Sequence, residues 1–453
     1  MKKHQFILAS TIAFIVLFYN QWLGYNLGLY GLFLLGLLVY QHATTFLKDK
    51  VALILGLCSL CSCFSFAYYG DFFSFLALFS SFVLLQFRLE KPNLTIILAF
   101  PLAILNAVAS SIRVFFFQSY VPQQNIKENW LKKTIAFLII PMVFLSLFVW
   151  VYANGSTLIT DLFMGYELDI NFYQLLFVSV FGFYFSFSYW NFWIPDAVYH
   201  FQNRLEDDFN AASNGNNSFL GIDFERKSGE ISLFLLNALI LIFIASYTYE
   251  QFFQTTISGN LSAEIHERIN SVIVSMIMAI AVVLIFFRTI DSFQKEGNRL
   301  RILAQTWIVL NMCLLFTAFL KNTEYVSEFG FTYKRLGVFA FLILVFFGLW
   351  YSFQKIKNKK TNAYLFKRIF WYGFATILVC SFVNWGNLIT KYNIAVGKGV
   401  EPEYLANLHF NHTLREAYFE ENNIENVWVD YQIKDNEKAP FLSKILYYQF
   451  LAE

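Results

Sequence analysis

Three polar clusters interrupt an apolar chain at points where side chains could recognise a ligand or move a proton. The first, Glu264, His266, Glu267 and Arg268, heads the run Ser262–Arg288, SAEIHERINSVIVSMIMAIAVVLIFFR. If the run is helical, Glu264 and Arg268 are four apart and can pair on one face, worth about 0.2–0.5 kcal/mol. His266 falls near the opposite side of that turn. The second cluster is Tyr325, Thr332, Lys334 and Arg335, and the third is Asn384, Asn387, Lys391, Tyr392 and Asn393. Together they could form a polar site opening outward. The plainer reading makes them headgroup anchors, with Arg and Lys on lipid phosphates and Tyr in the interfacial aromatic belt. An enzyme working at the outer leaflet would need His266 or Glu264 in a cleft open to lipid.

No enzymatic constellation accompanies them. The sequence has no His-Glu-x-x-His, no phosphate loop, no Gly-x-Ser-x-Gly and no carboxylate pair within an apolar segment. The expectation therefore leans away from an enzyme, and no motif implies a cofactor. His409 and His412 have a spacing that can hold a metal, but no third ligand accompanies them and they read as surface histidines. Cys58, Cys61 and Cys63 sit mid-way along an apolar run without a His, Asp or Glu nearby, and read as small packing residues. Inside the apolar runs Arg113, Asn237 and Asn311 are the polar exceptions. A transporter would line a water-filled cavity with them. The asparagines otherwise read as interhelical hydrogen-bond glue.

The elements that must hold these residues follow from hydropathy. Hydrophobic residues make up 57% and charged residues 14% of the 453, too apolar for a water-soluble surface. Net charge of +2 gives no footprint for nucleic acid. The fold expected is all-α, a polytopic transmembrane bundle of about eleven spans, within ten to twelve. Ser262–Arg288 shows the logic: its uncharged core of about 19 residues makes a helix of about 28 Å, the thickness of a bilayer's hydrocarbon. The other expected spans are Phe6–Tyr19, Leu27–Tyr40, Val51–Tyr69, Phe72–Phe87, Ile135–Tyr152, Phe172–Ile194, Ile231–Tyr247, Ile302–Leu320, Gly337–Phe353 and Ile369–Trp385.

Orientation comes from lysine and arginine. The turns after Arg288 and after Phe353, the latter carrying KIKNKK, are the most basic and belong in the cytoplasm. Counted backward, the acidic Asn154–Asn171 stretch falls outside and the Lys127–Lys133 link inside. Counted forward, MKKH, Lys48/Lys50 and Arg88/Lys91 also ask to be inside. The two counts conflict at Leu94–Phe117, which is expected to be re-entrant or interfacial, with Arg113 near its end. Twelve spans with an outward N-terminus is the rival. Either way the last span runs outward, placing Gly386–Glu453 outside the cell, with six lysines and arginines against ten acids. Helices are expected after Pro402 and over Phe441–Leu451, and a short strand or extended link at Val427–Ile433. The divisions expected are residues 1–120, 121–386 and 387–453.

SAEIHERINSVIVSMIMAIAVVLIFFR resembles a signature of the bacterial domain-of-unknown-function 4153/4173 family, in which a Val-His-x-Gly-like lead-in precedes a similar helix. KNTEYVSEFGFTYKR at Lys321–Arg335 is similar to that family's Tyr-x-x-x-x-Gly-Leu-Thr-x-x-Arg segment. NWGNLITKYNI at Asn384–Ile394 is similar to its Asn-Pro-Asp-x-Leu-Ile-x-x-Tyr-Asn-Ile. Arg268 stands at a glycine-like position, and Trp385 and Gly386 replace Pro-Asp. The likeness covers Ile231–Leu408 and reaches the first half by hydropathy alone. It implies a multi-pass inner-membrane protein with no assigned activity. Of the roles left open, an envelope-associated binding or sensory protein is favoured over a small-molecule or ion transporter and over a membrane enzyme, because the membrane interior is so poor in ionisable groups. The partners expected are the lipid bilayer and an envelope protein or small ligand.

Overall fold

A computed structural model describes residues 2–114, 171–202, 205–209, 221–253, 261–425 and 431–452, with single positions 141, 144, 145 and 148. The Lys127–Lys133 link, the Ile135–Tyr152 span, the acidic stretch up to residue 170 and the Ala212–Ser218 loop lie outside the described residues. Among those described, the chain is all-helical with no strand. Nine of its helices are long and apolar enough to cross a membrane, and Lys3–Phe18 and Val272–Phe286 are shorter apolar helices. This is a multi-pass membrane protein. Ile96–Arg113, expected to be re-entrant or interfacial, is one of the nine by length and composition.

The described chain forms two compact units. The first combines Met1–Trp22 with Ala103–Trp193. Here α1 (Lys3–Phe18) runs antiparallel to α6 (Phe172–Trp190). The Trp190 indole donates to Ser10 Oγ at 2.7 Å near one end, and the Asn171 amide donates to Tyr19 Oη at 2.9 Å at the other. Between them Phe14 lies so close to Gly182 that a Cβ there would come within 2.6 Å of the ring, which is why glycine is needed. Asn106, on the C-terminal part of α5 (Ala99–Arg113), exchanges two bonds with the Trp193 backbone, each 2.7 Å. Arg113 sits in the last turn of α5, where its guanidinium reaches back to 3.4 Å from Asn106 Oδ1 and lies 5.6 Å over the Trp193 ring. Its place at the helix end lets the charge snorkel rather than face lipid mid-membrane.

The second unit holds Leu23–Leu102 and Ile194–Glu453. α2 (Tyr25–Lys48), α3 (Lys50–Tyr69) and α4 (Phe72–Glu90) form consecutive hairpins. Asp49 caps α3 through the Val51 amide, 2.9 Å away, and Gly70, at φ 60°, ends it in the left-handed conformation that glycine alone adopts freely. After the short α7 (Asp196–Gln202), the remaining long helices are α8 (Ile222–Phe253), α9 (Leu261–Phe286), α10 (Asn298–Phe329), α11 (Tyr333–Lys357) and α12 (Asn362–Phe382). α8 to α11 share a core that includes Leu233, Met276, Ala279, Ala304, Ile308 and Leu349. Lipid is as apolar as these side chains, so close packing and polar glue hold helix to helix. The Ser65 hydroxyl of α3 donates to the Ser381 carbonyl of α12, and Asn237 of α8 donates to the Leu303 carbonyl of α10 at 2.9 Å.

The two ends of this unit differ in charge. Turns at one end carry Lys48, Lys50, Arg88, Lys91, Arg288, Arg299, Lys357 and Lys359. Acids clamp cations at this end: Arg288 to Glu225 at 2.9 Å, Lys360 to Asp208 at 2.5 Å and Lys367 to Asp207 at 2.7 Å. At the opposite end lie the α2 start, the α3–α4 turn, the α10–α11 turn and α13 (Trp385–Val396), joined by α14 (Pro402–Ala406), α15 (His412–Glu421), α16 (Tyr431–Lys438) and α17 (Leu446–Ala452). The helix expected after Pro402 ends at Ala406, and Phe410, at φ 61°, lies in the link that leads on to α15. The link expected to be strand-like at Val427–Ile433 is helical from Tyr431 onward, its earlier part lying outside the described residues.

Candidate functional site

The second and third polar clusters meet at the end of the second unit that carries α13–α17. Gly330, at φ 78°, turns the chain out of α10, and Thr332 caps α11 by accepting from the Arg335 amide at 3.3 Å. The turn leaves the Phe331 backbone unpaired, and Asn393 of α13 completes it. Its Oδ1 accepts from the Phe331 N–H at 2.6 Å, while its Nδ2 donates to the carbonyls of Phe331 and Gly399, each 3.1 Å away. Asn393 is fully buried, so only an amide satisfies both donor and acceptor there. The Tyr404 hydroxyl adds a donor to the Phe331 carbonyl at 3.1 Å. Burial pushes its phenol up to about 12, so it keeps that proton. Tyr392 packs edge-on to the Phe331 ring at 4.4 Å.

Arg335 lies beneath this latch with 9% of its surface exposed. Its guanidinium is 4.0 Å over the Tyr325 ring and donates to the Phe329 carbonyl at 3.0 Å and to the Gly330 carbonyl. Among the described residues it has no acidic partner. The carbonyls closing α10 serve instead, since a helix C-terminus carries partial negative charge and unpaired acceptors. Lys355 repeats the device at the other end of α11, with 0% exposure and its Nζ 2.8 Å from the Phe287 carbonyl just past the end of α9. Arg415, 2% exposed, points its Nη1 at the Ala406 carbonyl that ends α14. Each buried cation is thus a C-terminal cap.

The C-terminal segment is welded to the same end. The Tyr25 amide donates to the Lys444 carbonyl at 3.0 Å, and Gly24 lies directly against Ser443. Gly386 presses on the His409 carbonyl, where a Cβ has no room. Asn384 caps α13 through the Asn387 amide at 3.0 Å and donates to the Phe410 carbonyl at 2.9 Å. Asn411 reaches Thr390 Oγ1 at 2.8 Å and the Leu405 carbonyl at 2.9 Å. His409 Nδ1 lies 2.6 Å from Gln432 Nε2, and Gln432 Oε1 accepts from the Tyr448 hydroxyl at 2.8 Å.

Of the residues singled out from the sequence, Tyr325, Thr332, Arg335, Asn384, Tyr392 and Asn393 therefore build the end of the bundle. Lys391 and Lys334 are exposed around it. Glu264, His266 and Arg268 lie on the helical backbone of α9, their side chains outside the described residues. Ile273, two turns after His266 on the same helical face, packs on Tyr325. Asn237 and Asn311 bond backbone carbonyls, Asn311 that of Trp307 on its own helix at 2.8 Å. Sequence reading missed Lys355, Asn411 and Arg415. Lys355 was legible in principle, because it follows Gly348 and Ser352 at helical spacing on the buried face of α11.

A family model described as domain of unknown function DUF4153 matches residues 6–415, most of the chain. The chain belongs to the DUF4153 family. The match takes in every span of both units and runs through α13 and α14 into α15, so the Asn393 latch and its Arg335 neighbour are inside the DUF4153 region, while α16 and α17 follow it. No curated protein and no solved structure matches.

Proposed function

We propose that this DUF4153 protein is an envelope-associated binding or sensory protein of the cytoplasmic membrane, with the C-terminal end of the bundle facing away from the cytoplasm. The observation that carries this reading is the separation of charge along the second unit. Lysine-rich turns collect at one end, and the folded C-terminal segment, acidic overall, closes the other. Short lysine-rich turns stay on the cytoplasmic side. A partner or small ligand then meets the polar surface around the latch, where Lys334, Lys391, Lys398, Glu401 and Glu403 are exposed and where Ile273 of α9, two turns beyond His266, packs on Tyr325. Arg335 and Asn393 hold that surface in shape, because their polar groups face backbone rather than solvent.

A transport role draws less support, since Asn237 and Asn311 bond helix backbone. The test is photocrosslinking in intact cells from a probe placed at Lys391, with a probe at Lys359 as the opposite-end control. A discrete adduct at position 391 that is lost when the surrounding exposed lysines are changed to glutamine is expected. Lipid adducts alone at both positions would overturn the binding role.

A further inference from the structure

At the lysine-rich end of the second unit, a recess of about 460 Å³ opens between the α2–α3 turn and the segment after α4, lined by Thr44, Thr45, Lys48, Asp49, Lys50 and Pro92. Its walls are fixed. Arg88 donates to Asp49 Oδ2 at 2.6 Å and to the Pro92 carbonyl at 2.9 Å, while Asp49 Oδ1 accepts from the Val51 amide at 2.9 Å. Both oxygens of the one lining carboxylate are thereby engaged. Lys48 and Lys50 are exposed and have no acidic partner among the described residues. Two free ammonium groups and two hydroxyls facing a neutralised carboxylate complement an anion with several acceptor oxygens. Along the same helix Leu47 is 78% and Tyr40 64% exposed, an apolar flank that a soluble anion would not use but an acyl chain would.

We propose that this recess binds the headgroup of an anionic phospholipid from the leaflet that the lysine-rich end meets, phosphate oxygens on Lys48, Lys50, Thr44 and Thr45 and acyl chains against α2. The assignment does not depend on which leaflet that is, so it stands or falls apart from the proposed function. The test is native mass spectrometry of delipidated protein in detergent, titrated with dioleoylphosphatidylglycerol or dioleoylphosphatidylcholine. Wild type is expected to retain the anionic lipid preferentially, and K48Q/K50Q to bind it roughly thirty-fold more weakly with an unchanged melting temperature. K334Q/K391Q, at the opposite end, serves as control and keeps full binding. Equal retention by K48Q/K50Q and wild type, or equal loss in both double variants, overturns the site. Displacement by equimolar glycerol 3-phosphate overturns the lipid assignment in favour of a soluble phosphate.

Discussion

Replacing Asn393 with alanine breaks three hydrogen bonds and strands two backbone groups. The Phe331 N–H loses its acceptor at 2.6 Å and the Gly399 carbonyl its donor at 3.1 Å, whereas the Phe331 carbonyl keeps the Tyr404 hydroxyl. A buried N–H without a partner costs about 1–3 kcal/mol and the half-buried carbonyl about 1 kcal/mol, so the latch weakens by about 3 kcal/mol. Asn393→Asp should do more damage, because it keeps the acceptor but turns a carboxylate toward two carbonyls. Lys391→Gln, two residues away and exposed, should do nothing. Trypsin reads the difference at Lys398, beside the latch, and at the buried Arg415. When opening is fast relative to cleavage, about 3 kcal/mol corresponds to roughly a hundred-fold faster nicking of the C-terminal segment. Equal cleavage rates for Asn393→Ala, Lys391→Gln and wild type would refute the assignment of Asn393 as the bond that holds this end together.

Other perturbations separate the buried groups. Lys355→Met removes the bond to the Phe287 carbonyl but fills the same space, so a loss of about 1 kcal/mol is expected by thermal unfolding; Lys355→Glu aims a bare carboxylate at that carbonyl and should cost about 3–5 kcal/mol, seen as protein missing from the membrane fraction. At the α2–α3 turn the Arg88 guanidinium, helped by the Val51 amide, holds the Asp49 carboxyl below the usual range despite partial burial. A depressed carboxylate contributes stability that is present above its unfolded value, about pH 4, and is lost as pH falls through the lower folded value. The melting-temperature gap between wild type and Asp49→Asn should therefore be constant from about pH 5 upward and close below about pH 4. Gly386→Ala drives a Cβ into the His409 carbonyl and should release the C-terminal segment to trypsin, while Gly373→Ala, with open space around it, should not.

Much of the fold was legible because a bilayer asks so little of a sequence: uninterrupted apolar runs of the right length, with charges at the ends. Arg113 sits in the last turn of α5, toward the end of its apolar run. The polar clusters were legible as places but not as structures. Asn393 and Gly330 are 63 positions apart, and no local pattern shows that an amide completes a turn on another helix. Lys355 was hidden by its company in KIKNKK, where it reads as one more solvated turn lysine; helical spacing from Gly348 and Ser352 separates it from Lys357, which is exposed. Nothing near Gly24 and Gly386 in the sequence marks them, because the backbones that press on them, Ser443 and His409, come from the C-terminal segment.

Side-specific labelling of that segment tests the proposed function most directly. In a cysteine-free background, Glu420→Cys and Lys359→Cys, both at exposed positions, are treated with a membrane-impermeant maleimide in intact cells and again after lysis. Labelling of position 420 in intact cells, with position 359 labelled only after lysis, is the result expected. Protection of position 420 until lysis would place the C-terminal end in the cytoplasm and contradict the outward-facing site.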